Sequence, residues 1–510
     1  MKKYYLLLFA FLIGSSPLLS QDLDTYNFIK TTVNGYDLWN YAYVTDSMGN
    51  IYSTGRLNNN DTSYEEIIIV KHMPNGVLDT SFGTDGMFTY DFGSMLYQRG
   101  NDIEIDANGK ILVTGYVAES FTHRNLFVIR LNQNGTLDTS FNTNGVLEID
   151  NGYSNTGYKI VVGDDGKIFV GGTISTSTVS QLAIIKLNDD GTYDTTFNLD
   201  GISATDIGNS SNNNYIKDMN ILSDGKIMTL ANTGGSISLF RFTDNGMPDT
   251  TYGGGDGIYQ YSPGNAGYEY YAKEFHINTD GTIFILATKD CVGCNPGSAS
   301  NVSRWVFKID TSGAYDNTFS GNGEYYIGNF FNPPAAFAVS DTQEIYIAVK
   351  KYDFELQKLT STGSLDTSFH SDGIWNPTEV ERRKMYPFEI TIDSSGELMV
   401  LGKFFYPGFT DDMFIYRDGL SQNNVILSVD ENEVNGTFAM YPNPTNDIVY
   451  VKNDNMQTAI TVEIFNALGM RLFSKEISNI DNTINLKGYT AGMYYAKVLG
   501  TDTTKSILKN

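Results

Sequence analysis

A five-residue word recurs along this chain. LDTSF stands at 78–82, 137–141 and 365–369, and looser copies stand at 193–197 (YDTTF), 248–252 (PDTTY) and 315–319 (YDNTF). The aspartates are Asp79, Asp138, Asp194, Asp249, Asp316 and Asp366, with successive gaps of 59, 56, 55, 67 and 50 residues. Every copy follows an apolar run (IIIVKHM, LFVIRLN, LAIIKLN, ISLFRFT, WVFKID, FELQKLT) and a glycine turn, and a second glycine closes it. Self-similarity at such a period means a repeat architecture.

A second half-repeat lies between the copies. It reads AYVTDSMGNIYSTG, DIEIDANGKILVTG, KIVVGDDGKIFVGG, DMNILSDGKIMTLA, EFHINTDGTIFILA, AFAVSDTQEIYIAV and EITIDSSGELMVLG. Each is an apolar strand, a two-residue Asn-Gly or Asp-Gly type turn and another apolar strand, which is a strong hairpin signal. Asn and Gly tolerate the positive φ such turns demand. No long segment carries clean 3.6-residue amphipathicity, so helices are expected to be scarce. Two hairpins in about 58 residues give the four strands of a propeller blade. The 399 residues from Asp22 to Leu420 then divide into seven blades. Seven half-repeats of one kind and six of the other fit a seventh blade split between the chain ends. A segment near Tyr26–Lys30 would pair with Met413–Tyr416, closing the ring and removing exposed sheet edges.

The repeated aspartate reads as structural. Its carboxylate can accept from backbone N–H groups two or three residues on, and the Thr or Ser hydroxyls can bond locally. The Phe or Tyr can pack between blades. An active site occurs once, whereas this motif occurs once per blade. The alternative is a shallow calcium site of Asp and Asn oxygens, although the spacing lacks the twelfth-position Glu of an EF-hand loop. No other cofactor is expected. The whole frame resembles the delta-60 repeat, a bacterial β-propeller repeat, over roughly 22–420. That resemblance implies architecture and carries no catalytic residues. The fourth copy departs from it, with Pro248 at an apolar position and an extra residue in YGGGDG, and DTQEI at 341–345 lacks the turn glycine.

The ends differ in kind from the middle. MKKYYLLLFAFLIGSSPLLSQ has a basic start, an apolar stretch too short to span a bilayer and small residues with a cut expected after Ser20. No cysteine lies near the cut, so no lipid anchor is expected, and the mature chain should have no transmembrane segment. Residues 421–438 read as a linker. Beyond them, alternating strands and turns suit a small Ig-like β-sandwich. This tail resembles the type A C-terminal sorting domain of the Bacteroidetes type IX secretion system. The matching residues are Tyr441-Pro442-Asn443-Pro444, the turn Gly469, the segment with Gly492 and Tyr494, and the closing Lys505 and Lys509. The resemblance implies the secretion machinery as a partner, export through both membranes, removal of the tail, and a place on the cell surface or outside the cell. The expected organisation is therefore signal peptide 1–20, seven-bladed β-propeller 21–420, linker 421–438 and sorting domain 439–510, all-β throughout.

Charge narrows the partners. Net charge is −25; residues 439–510 hold seven Lys/Arg against six Asp/Glu, and the first 20 residues hold two Lys, so 21–438 carries −28. Such a ring repels nucleic acid and anionic membrane. The 34 Tyr and 30 Phe fill strand faces for the most part, and exposed Tyr could contact a glycan or protein. Cys291 and Cys294, the two cysteines, lie in the longest gap and are expected to form a disulfide in an exported chain. GxSxG, HExxH, P-loop and sialidase Asp-box patterns are absent. His72, His123, His276 and His370 are scattered, with His72 and His370 expected in solvent, and Glu65-Glu66 and the 379–383 cluster read as solvated faces. The expected function is non-catalytic binding of a glycan or protein outside the cell. The alternatives are a propeller hydrolase or lyase acting on polysaccharide and a passive envelope component.

Overall fold

The computed structural model describes residues 19–509 except 24–27, 34–35, 60–63, 94–95, 121–122, 207–214, 262–267, 292–301, 330–334, 351–353, 377–384, 393–395, 405–411, 418–437, 442–444, 454–459, 467–470, 478–481, 491 and 499–503. Every regular element among the described residues is a β-strand. The chain forms two compact units, 1–425 and 426–510.

Seven antiparallel sheets make up the first unit. Blades 1 to 6 each hold four consecutive strands, within 36–90, 97–149, 156–205, 215–261, 268–329 and 335–375. Their first strands are Tyr36–Thr45, Tyr97–Ile105, Thr156–Val162, Tyr215–Ile221, Tyr268–Ile277 and Ala335–Val339. Blade 7 takes Met385–Ile392, Leu398–Phe404 and Asp412–Arg417 from the far end and Phe28–Val33 from the start. Phe28 pairs with Tyr416 and Thr31 with Met413, so the ring closes where the repeat count requires. A fifth strand, Leu19–Leu23, lies outside Phe28–Val33, and the expected cut after Ser20 falls within it.

Blade-to-blade packing is apolar. Ile67, Ile69 and Phe82 of blade 1 meet Ile103, Val113, Phe127 and Ile129 of blade 2 in one buried cluster. The same alternation recurs around the ring, because each strand buries one face against the blade before and the other against the blade after.

The hairpin turns differ from the two-residue form expected. In blade 2, Asp106 N–H bonds to Lys110 O at 3.0 Å and Gly109 N–H to Asp106 O at 2.9 Å. Gly109 has φ 74°, whereas Asn108 does not take positive φ. This is the three-residue loop with a left-handed glycine after a tight turn. Asp106 Oδ1 selects it by accepting from the N–H of Asn108 and of Lys110, both at 2.8 Å. Blade 6 keeps the geometry without glycine: Gln343 takes φ 61° and donates its N–H to Ser340 O at 2.8 Å.

Two charge assignments need correction. His72 is fully buried, and Glu65 is buried and paired with Arg56. Both lie on the third strand of blade 1, Glu65–His72, whose faces are covered by neighbouring blades. His370 is exposed, as expected, and residues 379–383 lie outside the described residues.

The second unit packs two antiparallel sheets. One holds Phe438–Tyr441, Ile448–Asn453 and Thr483–Asn485, and the other Ile460–Asn466, Arg471–Ile477, Gly492–Val498 and Thr504–Lys509. Val449, Val462, Ile464, Ile484, Tyr494 and Ile507 fill the space between them.

Candidate functional site

The repeated aspartates are not gathered into one site. Each stands in its own blade, at the end where the first and second strands are joined. Asp138 Oδ1 accepts from the N–H of Ser140 at 3.2 Å and from its hydroxyl at 2.7 Å. Asp138 Oδ2 takes Arg130 Nε and Lys110 Nζ, both at 3.0 Å. All six aspartates pair with the Lys or Arg eight positions earlier: Lys71, Arg130, Lys186, Arg241, Lys308 and Lys358. These cations and hydroxyls hold Asp138, Asp194 and Asp366 down to about 2 against the cost of burial. The offset of eight stands in the quoted apolar runs, each of which carries one Lys or Arg at the right place.

The aromatic residue of the motif crosses to the next blade. Phe141 is fully buried, and a Cβ on Gly191 of blade 3 would lie 2.7 Å from its ring. Only glycine, here at φ 80°, leaves that room. Beside it, Asn142 N–H donates to Asp190 O at 2.8 Å. The same bond joins Gly83 to Asn134, Asn198 to Asn245 and Ser320 to Thr362. LDTSF thus sits at the joint between successive blades.

The first strands line the centre of the ring, and six of the seven carry a register shift. The extra residues are Tyr41, Asn101, Tyr158, Lys217, Lys273 and Phe388. A bulge of this kind re-aims one side chain and leaves the rest of the strand in register. The residue that follows is an acid in four blades, and each acid accepts the N–H of the next first strand. Asp102 takes Ile160 at 2.8 Å, Asp218 takes Phe275 at 3.1 Å, Glu274 takes Phe337 at 2.8 Å and Glu389 takes Tyr43 at 2.9 Å. Blade 3 has Lys159 there, 3.4 Å from Asp102 and 3.8 Å from Asp218. Burial pushes Glu274 up to about 7 and Glu389 up to about 8. Burial also works against the charge of Lys159, but Asp102 and Asp218 hold it above the usual lysine range.

A cavity of about 940 Å³ opens beside this girdle, towards the end of the blades opposite the LDTSF turns. Trp39, Tyr215, Tyr271, Tyr386 and Phe388 form aromatic walls drawn from blades 1, 4, 5 and 7. Lys217, Lys273, Arg304 and Lys403 share the lining with one carboxylate, Asp290. Lys403 Nζ stands 3.1 Å from the centroid of the Trp39 ring, and Arg99 lies 3.5 Å over Tyr41 nearby. Burial lowers Lys217 to about 8, with Lys273 and Arg99 adding repulsion, and burial lowers Arg304 to about 10. The hairpins read from the sequence begin just after each bulge, and nothing in a single repeat shows that the residues before and at the bulges converge.

Cys291 closes the second strand of blade 5 and is disulfide-bonded; Cys294 lies outside the described residues. Among the described residues no three His, Cys, Asp or Glu side chains are grouped as a metal site, and no helix is long and apolar enough to cross a membrane.

In the second unit, Tyr441 pairs with Tyr450 through the backbone, and Gly492 pairs with Lys509. Tyr494 is buried and donates its hydroxyl to Thr490 O at 2.5 Å. Lys509 is buried too, giving Nζ to Asn446 O at 2.7 Å and to Asp447 Oδ1 at 3.1 Å. Lys505 pairs with Ala496, while 442–444 and Gly469 lie outside the described residues. Residues 439–510 match the family described as Secretion system C-terminal sorting domain. The tail is a sorting domain. It marks the chain for type IX secretion to the cell surface or the space beyond. Residues 107–141 and 164–197 match the family described as Domain of unknown function (DUF5122) beta-propeller, each segment running from a hairpin turn to the motif aromatic. No curated protein matches the chain. Among solved structures, a protein of unknown function from Dyadobacter fermentans is 11% identical, with a TM-score of 0.40 over 78% of this chain and 98% of that one. Drosophila Plexin A in complex with Semaphorin 1b is 9% identical, with a TM-score of 0.42 over 78% and 88%. The PQQ-bound aldose sugar dehydrogenase of Streptomyces coelicolor is 11% identical, with a TM-score of 0.35 over 79% and 100%.

Proposed function

We propose that this exported propeller is a non-catalytic binding protein that holds a glycan in the aromatic cavity. The supporting observation is convergence: five aromatic side chains from four blades wall one cavity of about 940 Å³. Flat aromatic faces suit the apolar faces of sugar rings, and polar groups between them can read hydroxyls. A second reading, a polysaccharide hydrolase or lyase, draws on the raised Glu274 and Glu389, since acids held near neutrality are how such enzymes work. Both carboxylates are already spent on backbone N–H groups of the next blade, which favours a structural role for them. The test is a glycan array probed with the exported protein, followed by titration calorimetry on the hits. Trp39→Ala and Tyr271→Ala should each weaken binding at least tenfold with unfolding temperature held. New reducing ends or unsaturated products from a bound glycan would favour the enzyme. An empty array would remove the glycan reading.

A further inference from the structure

Resting on that reading, we infer that the cavity recognises a glycan bearing acidic substituents, carboxylate or sulfate, and not a neutral one. Four cations line it against one carboxylate, in a ring (21–420) that carries −25 overall. Elsewhere in this ring, buried cations are answered. Arg130 has Asp138, and Lys159 has Asp102 and Asp218. Lys217 is not: among the described residues its ammonium lies 4.4 Å over the Tyr215 ring and meets no carboxylate. Lys273 reaches the carbonyl of Phe388 at 3.3 Å, while its neighbour Glu274 is committed to the Phe337 N–H. Both lysines stand at bulges, positions that aim one side chain inward from an otherwise regular strand. Burial lowers the pKa of each; at Lys217 the repulsion of Lys273 and Arg99 adds to it with no counter-charge, whereas at Lys273 Glu274 and Glu389 partly offset burial and the repulsion of Arg304.

Ammonium and guanidinium groups lining one cavity are complementary to oxyanions, and hydrogen bonds with an ionised partner are the strong ones. Neutral sugar hydroxyls would leave Lys217 without a counter-charge. The surrounding negative ring disfavours a dense polyanion at long range, but salt screens that repulsion beyond about 8 Å at physiological ionic strength, whereas the cavity contacts are short.

The experiment is calorimetric titration of the exported protein with three probes: a neutral glucan, polygalacturonate and a sulfated galactan. At least one acidic glycan should bind tenfold or more tightly than the glucan, and which one binds separates carboxylate from sulfate recognition. Lys217→Gln and Lys273→Gln should each weaken that binding at least tenfold and narrow the margin of the acidic glycan over the glucan. Removing the unanswered Lys217 charge should leave the unfolding temperature equal or higher, and Lys217→Met serves where the Gln variant fails to fold. Equal binding of glucan and acidic glycans, or indifference to both lysines, overturns this inference and leaves glycan binding standing. Failure of all three probes together with an empty array overturns both.

Discussion

Acidification should weaken the propeller through one buried side chain, His72. It is fully buried in the third strand of blade 1, and its Nε2 lies 3.0 Å from Thr31 Oγ1 on the strand that closes the ring. The other ring nitrogen, Nδ1, has no partner among the described residues. Protonation would bury a charge with an unsatisfied N–H, so burial lowers the pKa from 6.5 to about 3. The folded state therefore binds fewer protons than the unfolded state between those values. Stability from this residue is full above pH 6.5 and falls as pH drops towards 3. At about 1.4 kcal/mol per pH unit, the loss reaches about 2 kcal/mol at pH 5. Glu274 and Glu389 act in the opposite sense, because their raised values stabilise the folded state as pH falls from 8. The measurement is thus a difference: urea midpoints of the propeller transition for the protein and for His72→Gln, from pH 7.5 to 4.5. The two carboxylates cancel, and the gap should shift in favour of the variant by about 2 kcal/mol near pH 5. Parallel curves across that range would refute the buried neutral histidine.

Further outcomes follow from the joints of the ring. Deleting residues 22–33 removes the strand paired with Met413–Tyr416 and should lower the melting temperature and induce aggregation through the bared edge, as read by scanning calorimetry and light scattering. Asp138→Ala should cost about 2 kcal/mol in urea unfolding, because it strips a turn and one of the two carboxylates on the buried Arg130, leaving Asp189. The more open Lys358–Asp366 pair should lose less, with the lost turn dominating in Asp366→Ala. Truncation at Gly436 should leave the melting temperature of the ring unchanged and retain the protein inside the cell, since the tail closes its own core; a truncated protein recovered outside would count against the sorting role.

What was legible in the sequence was whatever repeats. The hairpins, the seven blades and the pairing of the first segment with Met413–Tyr416 all follow from spacing, because strand alternation and turn residues act over short distances. The turn type was misjudged because Asn-Gly looks alike in both loops, and the deciding bond comes from the aspartate two residues before the asparagine. His72 and Glu65 were placed in solvent because a strand in a propeller is covered on both faces, and polarity alone does not show the cover. The acid girdle went unread. The half-repeats open on Ala42, Asp102, Lys159, Asp218, Glu274, Ala336 and Glu389, and that column has meaning only once seven first strands stand side by side. The cavity was not legible at all, since Trp39, Lys217, Lys273 and Lys403 meet only through ring closure.

The closing strand has a consequence in time. Phe28 finds Tyr416 only after every intervening blade exists, so the last pairing joins the two most distant parts of the ring. Contacts between such distant segments form slowly, because the loop must close before anything rewards it. A chain emerging from its beginning would carry a strand with one edge still unpaired, Phe28–Val33, through the whole of its synthesis and first membrane crossing. The residues that complete the circle arrive just ahead of those that serve as the export address at 439–510. The order of the chain thus lets the cargo become whole shortly before its address can be read.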